Sequence, residues 1–385
     1  MYAERISSLP PYLFAEIDKR KKEARKKGID IIDLSIGDPD LPTPPHIVEA
    51  ACRAAKDPLN HRYPSYEGML SFREAVAAWY NRRKHISLDA EDEVLTLIGS
   101  KEGIAHSTFA FLDHGDIALV PDPAYPAYKN AILLANGIPH SVPLTEENEF
   151  TPDLESIDKE AVRKAKIMFL NYPNNPTAAA VEKSFFKEIV DFARDHNIAI
   201  LHDNPYSELT FDGYEAPSFL AVDGAKDVGI EFNSLSKTYN MTGWRIGYAI
   251  GNSDLLKGLR LVKTNVDSGV FQAVQAAGIA ALTGPQDGVK ANLAVYKERR
   301  DILFDGLKSA GMEVKKPKAT FYLWAKVPSG FLSIRFSLLL LDRAGVVVTP
   351  GIGFGDAGEG FVRFSLCVSK ERIKEACERL ERLDI

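Results

Sequence analysis

Cysteine is scarce in this sequence. There are three among 385 residues, Cys52, Cys367 and Cys377, with no CxxC pair. That usage excludes a disulfide framework and a thiolate metal site, and reads as reduced, buried thiols of a cytoplasmic protein. The eight histidines form no HxxxH pair, so no metal centre is expected. Long apolar runs are missing too. Leu338–Leu341 is followed at once by Asp342 and Arg343, far short of the roughly 20 apolar residues a membrane helix needs. The opening MYAERISSLPPYLF has no apolar segment of the kind a secretory signal carries. Positive charge is not in excess: 47 Lys+Arg face 53 Asp+Glu, a net −6, which argues against a nucleic-acid or membrane-surface partner. The basic run Lys19–Lys27 is accompanied by Glu16, Asp18 and Glu23 and reads as a solvated helix face. Neither an internal repeat nor a low-complexity segment is found.

What is present is ordinary globular composition, 45% hydrophobic and 26% charged, on a chain too long for one core, so two domains are expected. From Glu93 onward strands and helices alternate. Strands are expected at Val94–Ile98, Ile117–Val120, Ile138–Pro143, Lys166–Leu170, Ile198–Leu201, Val228–Phe232 and Arg245–Ile250. Such alternation implies an α/β fold, a mostly parallel seven-stranded sheet covered on both faces. After Gly251 the chain becomes more helical and reads as a smaller α+β unit, with strands at Met312–Lys315, Phe321–Ala325, Val346–Thr349 and Phe361–Ser365 and a last helix at Lys370–Leu383. A further strand is read at Ile31–Ile36. The expected division is residues 1–44 as an N-terminal arm joining the small domain, 45–283 as the large domain and 284–385 as the small domain.

Ligands of open parallel sheets sit at the C-terminal strand ends, and polar residues collect there. Ser100 and Lys101 follow one strand and Tyr125 the next. Asn171, Asn174 and Asn175 follow a third, Asp203 and Tyr206 a fourth, and Ser234, Ser236 and Lys237 a fifth. The stretch NSLSKTYNMTGWRIG, Asn233–Gly247, is the most specific. A lysine beside hydroxyls after a buried strand suits an amine that forms a Schiff base with a carbonyl cofactor. Pyridoxal 5′-phosphate fits the whole set. Lys237 takes the aldehyde, and Asp203 keeps the pyridine nitrogen protonated. Tyr206 and Asn175 bond the phenolic oxygen, and Tyr125 stacks on the ring. The phosphate lies at the helix start Ser100-Lys101 with Ser234, Ser236 and Arg245, whose planar fork suits it. Arg363, flanked by apolar neighbours in FVRFSL, needs a carboxylate partner, either a structural acid or the α-carboxylate of a substrate.

In order and spacing, YPNNPT (Tyr172–Thr177), DNPY (Asp203–Tyr206), SLSK (Ser234–Lys237) and GWRIG (Gly243–Gly247) closely resemble the fold-type I, class I/II aminotransferases, over essentially the whole chain. The resemblance implies a homodimer with shared active sites. Tyr63 of the RYPSYEG loop would reach the phosphate in the neighbouring subunit, and Asn265 would likewise serve the partner's site. It implies substrate contacts from Tyr12, Gly37, Lys101, Asn175 and Arg363. The local motifs PPYLFAEI, IDLSIGDPDLPTP, GSKEG and NVDSGVFQAVQ are similar to the branch acting on LL-2,6-diaminopimelate. Broader aspartate- and alanine-type enzymes share several of them, and a carbon–sulfur β-lyase or the aminotransferase-like module of a regulator are further readings. The chain departs from the family at Ala178, where NPTG is usual, so the loop after Asn175 is expected to differ. Glu67 is offset by one position from the glutamate that reads the distal end of the substrate in plant-type enzymes.

Overall fold

The computed structural model describes residues 2–10 and 15–383. Twelve strands occur among the described residues: β1 (Ile32–Asp33), β2 (Val94–Leu97), β3 (Ile117–Asp122), β4 (Ile138–Pro143), β5 (Ala165–Leu170), β6 (Ala199–Asp203), β7 (Gly229–Ser234), β8 (Gly247–Gly251), β9 (Tyr322–Lys326), β10 (Val346–Val347), β11 (Thr349–Pro350) and β12 (Phe361–Ser365). The central sheet has seven strands in the order β2-β8-β7-β6-β5-β3-β4. Only β8 runs against its neighbours; the pairings from β7 across to β4 are all parallel.

Burial on both faces explains why the inner strands are mostly apolar; the buried Glu231 of β7 is satisfied by His202, Tyr80 and Ser218. Along β6, Ile200 enters one apolar cluster with Phe186, Ile189 and Val190 of the helix Lys183–His196. Leu201 enters the other, with Ile104 of the helix Ser100–Phe111 and Leu256 of the helix Ser253–Val266. Each such side chain contributes about 1.5–3 kcal/mol on leaving water. With every strand but β8 pointing the same way, the C-terminal ends of β2, β3, β5, β6 and β7 line up along one edge.

A third cluster packs Phe321, Leu323 and Phe364 against Tyr206, Leu209 and Phe211. It underlies the antiparallel sheet β11-β12-β9 and the helices Asp287–Ser309 and Lys370–Glu381. The N-terminal segment meets this part of the chain, because β1 pairs in parallel with β10.

Several expectations need correction. Met312–Lys315 is not a strand; it makes a single bridge, Val314 to Ala325. The expected strand Val346–Thr349 splits at Val348, its first half pairing with β1 and its second with β12. Ile31–Ile36 contracts to two residues, since Gly37 and two nearby prolines turn the chain away. A helix at Ser333–Ala344, closed by Gly345 at φ 65°, was not anticipated. The cysteines are free, but only Cys377 is buried; Cys52 is exposed, on the outer face of the helix Pro45–Ala55. No described helix is long and apolar enough to cross a membrane.

Candidate active site

The lysine is delivered by a tight turn. Ser234 ends β7, and its Oγ accepts from the Ser236 N–H at 3.2 Å, starting the single helical turn Leu235–Thr238 that carries Lys237. The Lys237 Nζ donates to the Gly37 carbonyl at 3.0 Å and lies 5.6 Å from the centre of the Phe321 ring. Burial, helped by the charges of Arg245 and Arg363, lowers the pKa of this amine from its ordinary value, against Cys367 and Asp38. A lysine pushed toward its neutral form is a nucleophile.

Asp203 ends β6 and is buried. One carboxylate oxygen, Oδ2, accepts from the Tyr128 hydroxyl at 2.7 Å. The other, Oδ1, is buried without a partner. Burial pushes this carboxyl up to about 6, against the pull of Tyr128 and His202. An orphaned carboxylate oxygen facing a cavity is what a protonated ring nitrogen would satisfy. The backbone is pinned as well, since Asn171 Nδ2 donates to the Asp203 carbonyl at 2.7 Å.

An anion cup lies beside the lysine. The helix Ser100–Phe111 starts after Gly99, held at φ 84°, so its first N–H groups and its dipole face the cavity. A side chain at Gly99 would place its Cβ 2.3 Å from Arg245 Nη2, so glycine is required for the guanidinium to reach this helix start. Arg245 Nη1 is anchored on the Thr242 carbonyl at 2.9 Å. The buried Ser236 Oγ has no partner and is a donor held in reserve for an oxyanion. Tyr125 stands edge-on to Tyr128 at 5.8 Å.

Arg363 is held by neutral partners. Nη1 donates to Asn175 Oδ1 at 2.6 Å and Nη2 to the Ser35 carbonyl at 2.8 Å. The guanidinium carbon lies 4.1 Å from the Tyr322 ring centre and 4.7 Å from that of Phe354. No acidic side chain pairs with it among the described residues. A buried guanidinium fixed by neutral acceptors and rings keeps its charge for an incoming carboxylate.

One cavity of about 550 Å³ is lined by Gly37, Ser100, Lys101, Tyr125, Asn175, Asp203, Tyr206, Ser234, Ser236, Lys237, Arg245 and Arg363. Two expected residues are elsewhere. Tyr63 is 89% exposed, and Asn265 lies in an apolar surface depression with Phe109, Leu261, Val262 and Val266. Tyr12 falls outside the described residues. Glu67 is drawn into ion pairs with Arg260 at 3.4 Å and Arg73 at 3.9 Å. Ala178 takes φ 57°, the left-handed region that favours glycine.

The sequence reading missed Tyr128, which holds Asp203, and Tyr322, whose ring lies against Arg363 and whose hydroxyl meets that of Tyr206 at 3.2 Å. It also missed Ser35, Thr349 and Phe354 around Arg363. Tyr128 carried one usable signal, its place three residues after Tyr125 at the same strand end. The others belong to segments that fold onto the site from far along the chain and carried none.

Residues 29–380 match the family Aminotransferase class I and II. The chain is 56% identical to LL-diaminopimelate aminotransferase of Moorella thermoacetica over 381 residues, 99% of this chain and 98% of that protein. Among solved structures, substrate-bound BacF from Bacillus subtilis aligns with a TM-score of 0.95 at 40% identity, covering 100% of this chain and 98% of that one. A probable N-succinyldiaminopimelate aminotransferase from Thermus thermophilus aligns with a TM-score of 0.92 at 39% identity, covering 96% and 100%.

Proposed function

The chain belongs to the class I and II aminotransferases of fold type I, and we propose that it moves the amino group of LL-2,6-diaminopimelate to 2-oxoglutarate. The products are tetrahydrodipicolinate and glutamate. The reaction is reversible and in the opposite direction serves lysine and diaminopimelate synthesis. The observation that carries the substrate is the 56% identity, over nearly the full length of both proteins, to a relative with that activity.

Pyridoxal phosphate is the cofactor of this reading, and when bound it supplies the electron sink for the bonds at the substrate α-carbon. Lys237 would hold it covalently, Asp203 Oδ1 would face its ring nitrogen, and Ser100, Ser234, Ser236 and Arg245 would surround its phosphate. Asn175 gives its Oδ1 to Arg363, which leaves its Nδ2, with the Tyr206 hydroxyl, for the phenolic oxygen. Arg363 binds and orients the α-carboxylate of the amino donor. With the donor so held, the Lys237 Nζ would take its α-proton as general base. Its lowered pKa favours the neutral amine that this step requires.

The enzyme of this reading is a cytoplasmic homodimer. Phe109, Leu261 and Val266 are 49%, 62% and 64% exposed in one apolar depression, a surface suited to burial against a second copy. That face also carries Asn265, which together with Tyr63 would complete the partner's site. The division into residues 1–44, 45–283 and 284–385 belongs to the same proposal, supported by the separate sheet β11-β12-β9 of the C-terminal part and by the pairing of β1 with β10.

The test is incubation with LL-diaminopimelate and 2-oxoglutarate, with glutamate measured. Glutamate is the expected product. Rapid turnover of aspartate or alanine with none of diaminopimelate would replace this reading with a broader aminotransferase. Pyruvate and ammonia formed from a cysteine-like substrate without a keto acid would indicate β-elimination. Lys237→Ala should abolish both turnover and the visible absorbance of the bound cofactor, and an unchanged spectrum would remove Lys237 from its role.

A further inference from the structure

The cavity wall holds a pair of opposite charges to which the reading above gives no role. They come from the helix Ala15–Lys26. Asp18 and Lys21 both line the cavity, and Lys21 Nζ lies 3.6 Å from Asp18 Oδ1. The helix is seated from behind: Ile17 is buried against Leu338, Leu341 and Val347, and Arg20 Nη1 donates to Asp342 at 2.7 Å. The pair is therefore presented on a fixed element, with the Lys21 side chain only 15% exposed.

Lys21 is also connected to the carboxylate clamp. Its Nζ donates to Asp33 Oδ2 at 3.0 Å. Asp33 Oδ1 accepts from the Ser35 hydroxyl, and the Ser35 carbonyl accepts from Arg363 at 2.8 Å. Arg363 and Lys21 thus belong to one hydrogen-bonded framework along the cavity wall.

We propose that Asp18 and Lys21 bind the distal amino-acid end of a substrate that carries an ammonium and a carboxylate at both ends. This rests on the diaminopimelate reading above. With the reacting end held by Arg363, the far end of such a substrate presents an ammonium and a carboxylate on one carbon. Lys21, which keeps its bond to Asp33, takes the carboxylate, and Asp18 takes the ammonium. Charge-assisted bonds at a partly desolvated cavity wall are stronger than neutral ones. Glutamate has no distal ammonium and is shorter, so it gives Asp18 nothing to bind. Glu67 pairs with Arg260 and Arg73 and is not among the residues lining the cavity.

The test uses the loaded enzyme and each amino donor alone, following the colour change of the cofactor. Lys21→Met and Asp18→Asn should each raise KM for LL-diaminopimelate about tenfold or more, the scale of a lost charged hydrogen bond, with kcat within about twofold. The glutamate half-reaction should stay within about twofold, which also shows that the variants fold. Heptanedioate, a dicarboxylate without amino groups, separates the two roles. Its inhibition should weaken in Lys21→Met and persist in Asp18→Asn, and Lys21→Arg should recover much of the loss. Equal rises in KM for diaminopimelate and glutamate would overturn the proposal, since they would show action through Asp33 and Ser35 on Arg363. No change for diaminopimelate would overturn it as well. Wild-type enzyme that turns over glutamate but not LL-diaminopimelate would defeat the substrate reading itself, and this proposal with it.

Discussion

Asp203 shows how a single residue can be set against the fold that holds it. Its folded-state pKa, about 6, lies above the ordinary 3.8 because burial penalises the anion. Between those values the folded protein binds a proton that the unfolded chain does not, so this group's contribution to stability is largest below about pH 4 and is lost as pH rises through 6. In the cofactor-free protein, Asp203→Asn removes that cost. The stability difference between Asp203→Asn and wild type should therefore favour the variant more at pH 8 than at pH 5. The gap should be on the order of 1 kcal/mol, set by the pH interval between 5 and the folded pKa, and urea unfolding at the two pH values measures it. In the reading proposed above, a bound cofactor would reverse the sign, because the carboxylate would then have a cation to face. Identical pH dependence in the two proteins would show that Asp203 is already compensated. The chemical residues at this scale were readable because they come in short runs at strand ends, where backbone direction alone aims them at the cavity. Tyr128, Tyr322 and Phe354 were not, because an aromatic ring among apolar neighbours looks the same whether it packs a core or walls a site.

At the level of elements, the helix Ser100–Phe111, whose first turn forms the anion cup, is fixed by a buried charge cluster. Lys263, fully buried on the helix Ser253–Val266, donates to Asp267 at 2.9 and 3.0 Å and to Glu102 at 3.3 Å. His106 Nδ1 lies 2.9 Å from Glu102. Glu102 Oε2 accepts from the Ile98 N–H at 2.6 Å, just ahead of Gly99, while Asp267 accepts from the Gly269 N–H at 2.8 Å. Three residues that could pass for metal ligands, Glu102, His106 and Asp267, thus surround an ammonium. Lys263→Met would leave two acids facing each other without their cation. Breaking a buried pair this way costs about 3–5 kcal/mol, and thermal unfolding should show a loss of that order. Cofactor affinity should fall with it, because the Gly99–Ser100 turn loses its brace. A variant as stable as wild type would show that this cluster does not brace the helix start. None of this was visible in the sequence, where Glu102 and Lys263 are two charges on two helices. The same limit explains the other surprises among the elements. The strand expected at Val346–Thr349 was found, but two-residue pieces such as β10 and β11 give no period that would place the break at Val348, and SIRFSLLLL reads as an apolar run until the left-handed Gly345 shows where a helix ends.

For the whole molecule, the placement of Tyr63 demands a second subunit if it is to act at all. The side chain is 89% exposed and does not line the cavity of its own chain, whereas its loop is firmly based. Gly269, at φ 83°, comes so close to this loop that a Cβ there would lie 2.7 Å from the Ser65 carbonyl oxygen, and Gln275 accepts from the Met69 N–H at 2.6 Å. A tyrosine on a rigid, outward loop fits a two-fold dimer in which each copy supplies the other's phosphate contact, since an isologous interface makes such exchanges reciprocal. Tyr63→Ala and Lys237→Ala should each be poorly active or inactive alone. In a hybrid dimer, the subunit that keeps Lys237 receives Tyr63 from the subunit that lacks the lysine, and one complete site results. Unfolding and refolding an equal mixture gives hybrids in about half the dimers, each with one of two sites intact, so activity should return to about a quarter of the wild-type value. Activity equal to the average of the two separate variants would show that Tyr63 serves its own chain or none.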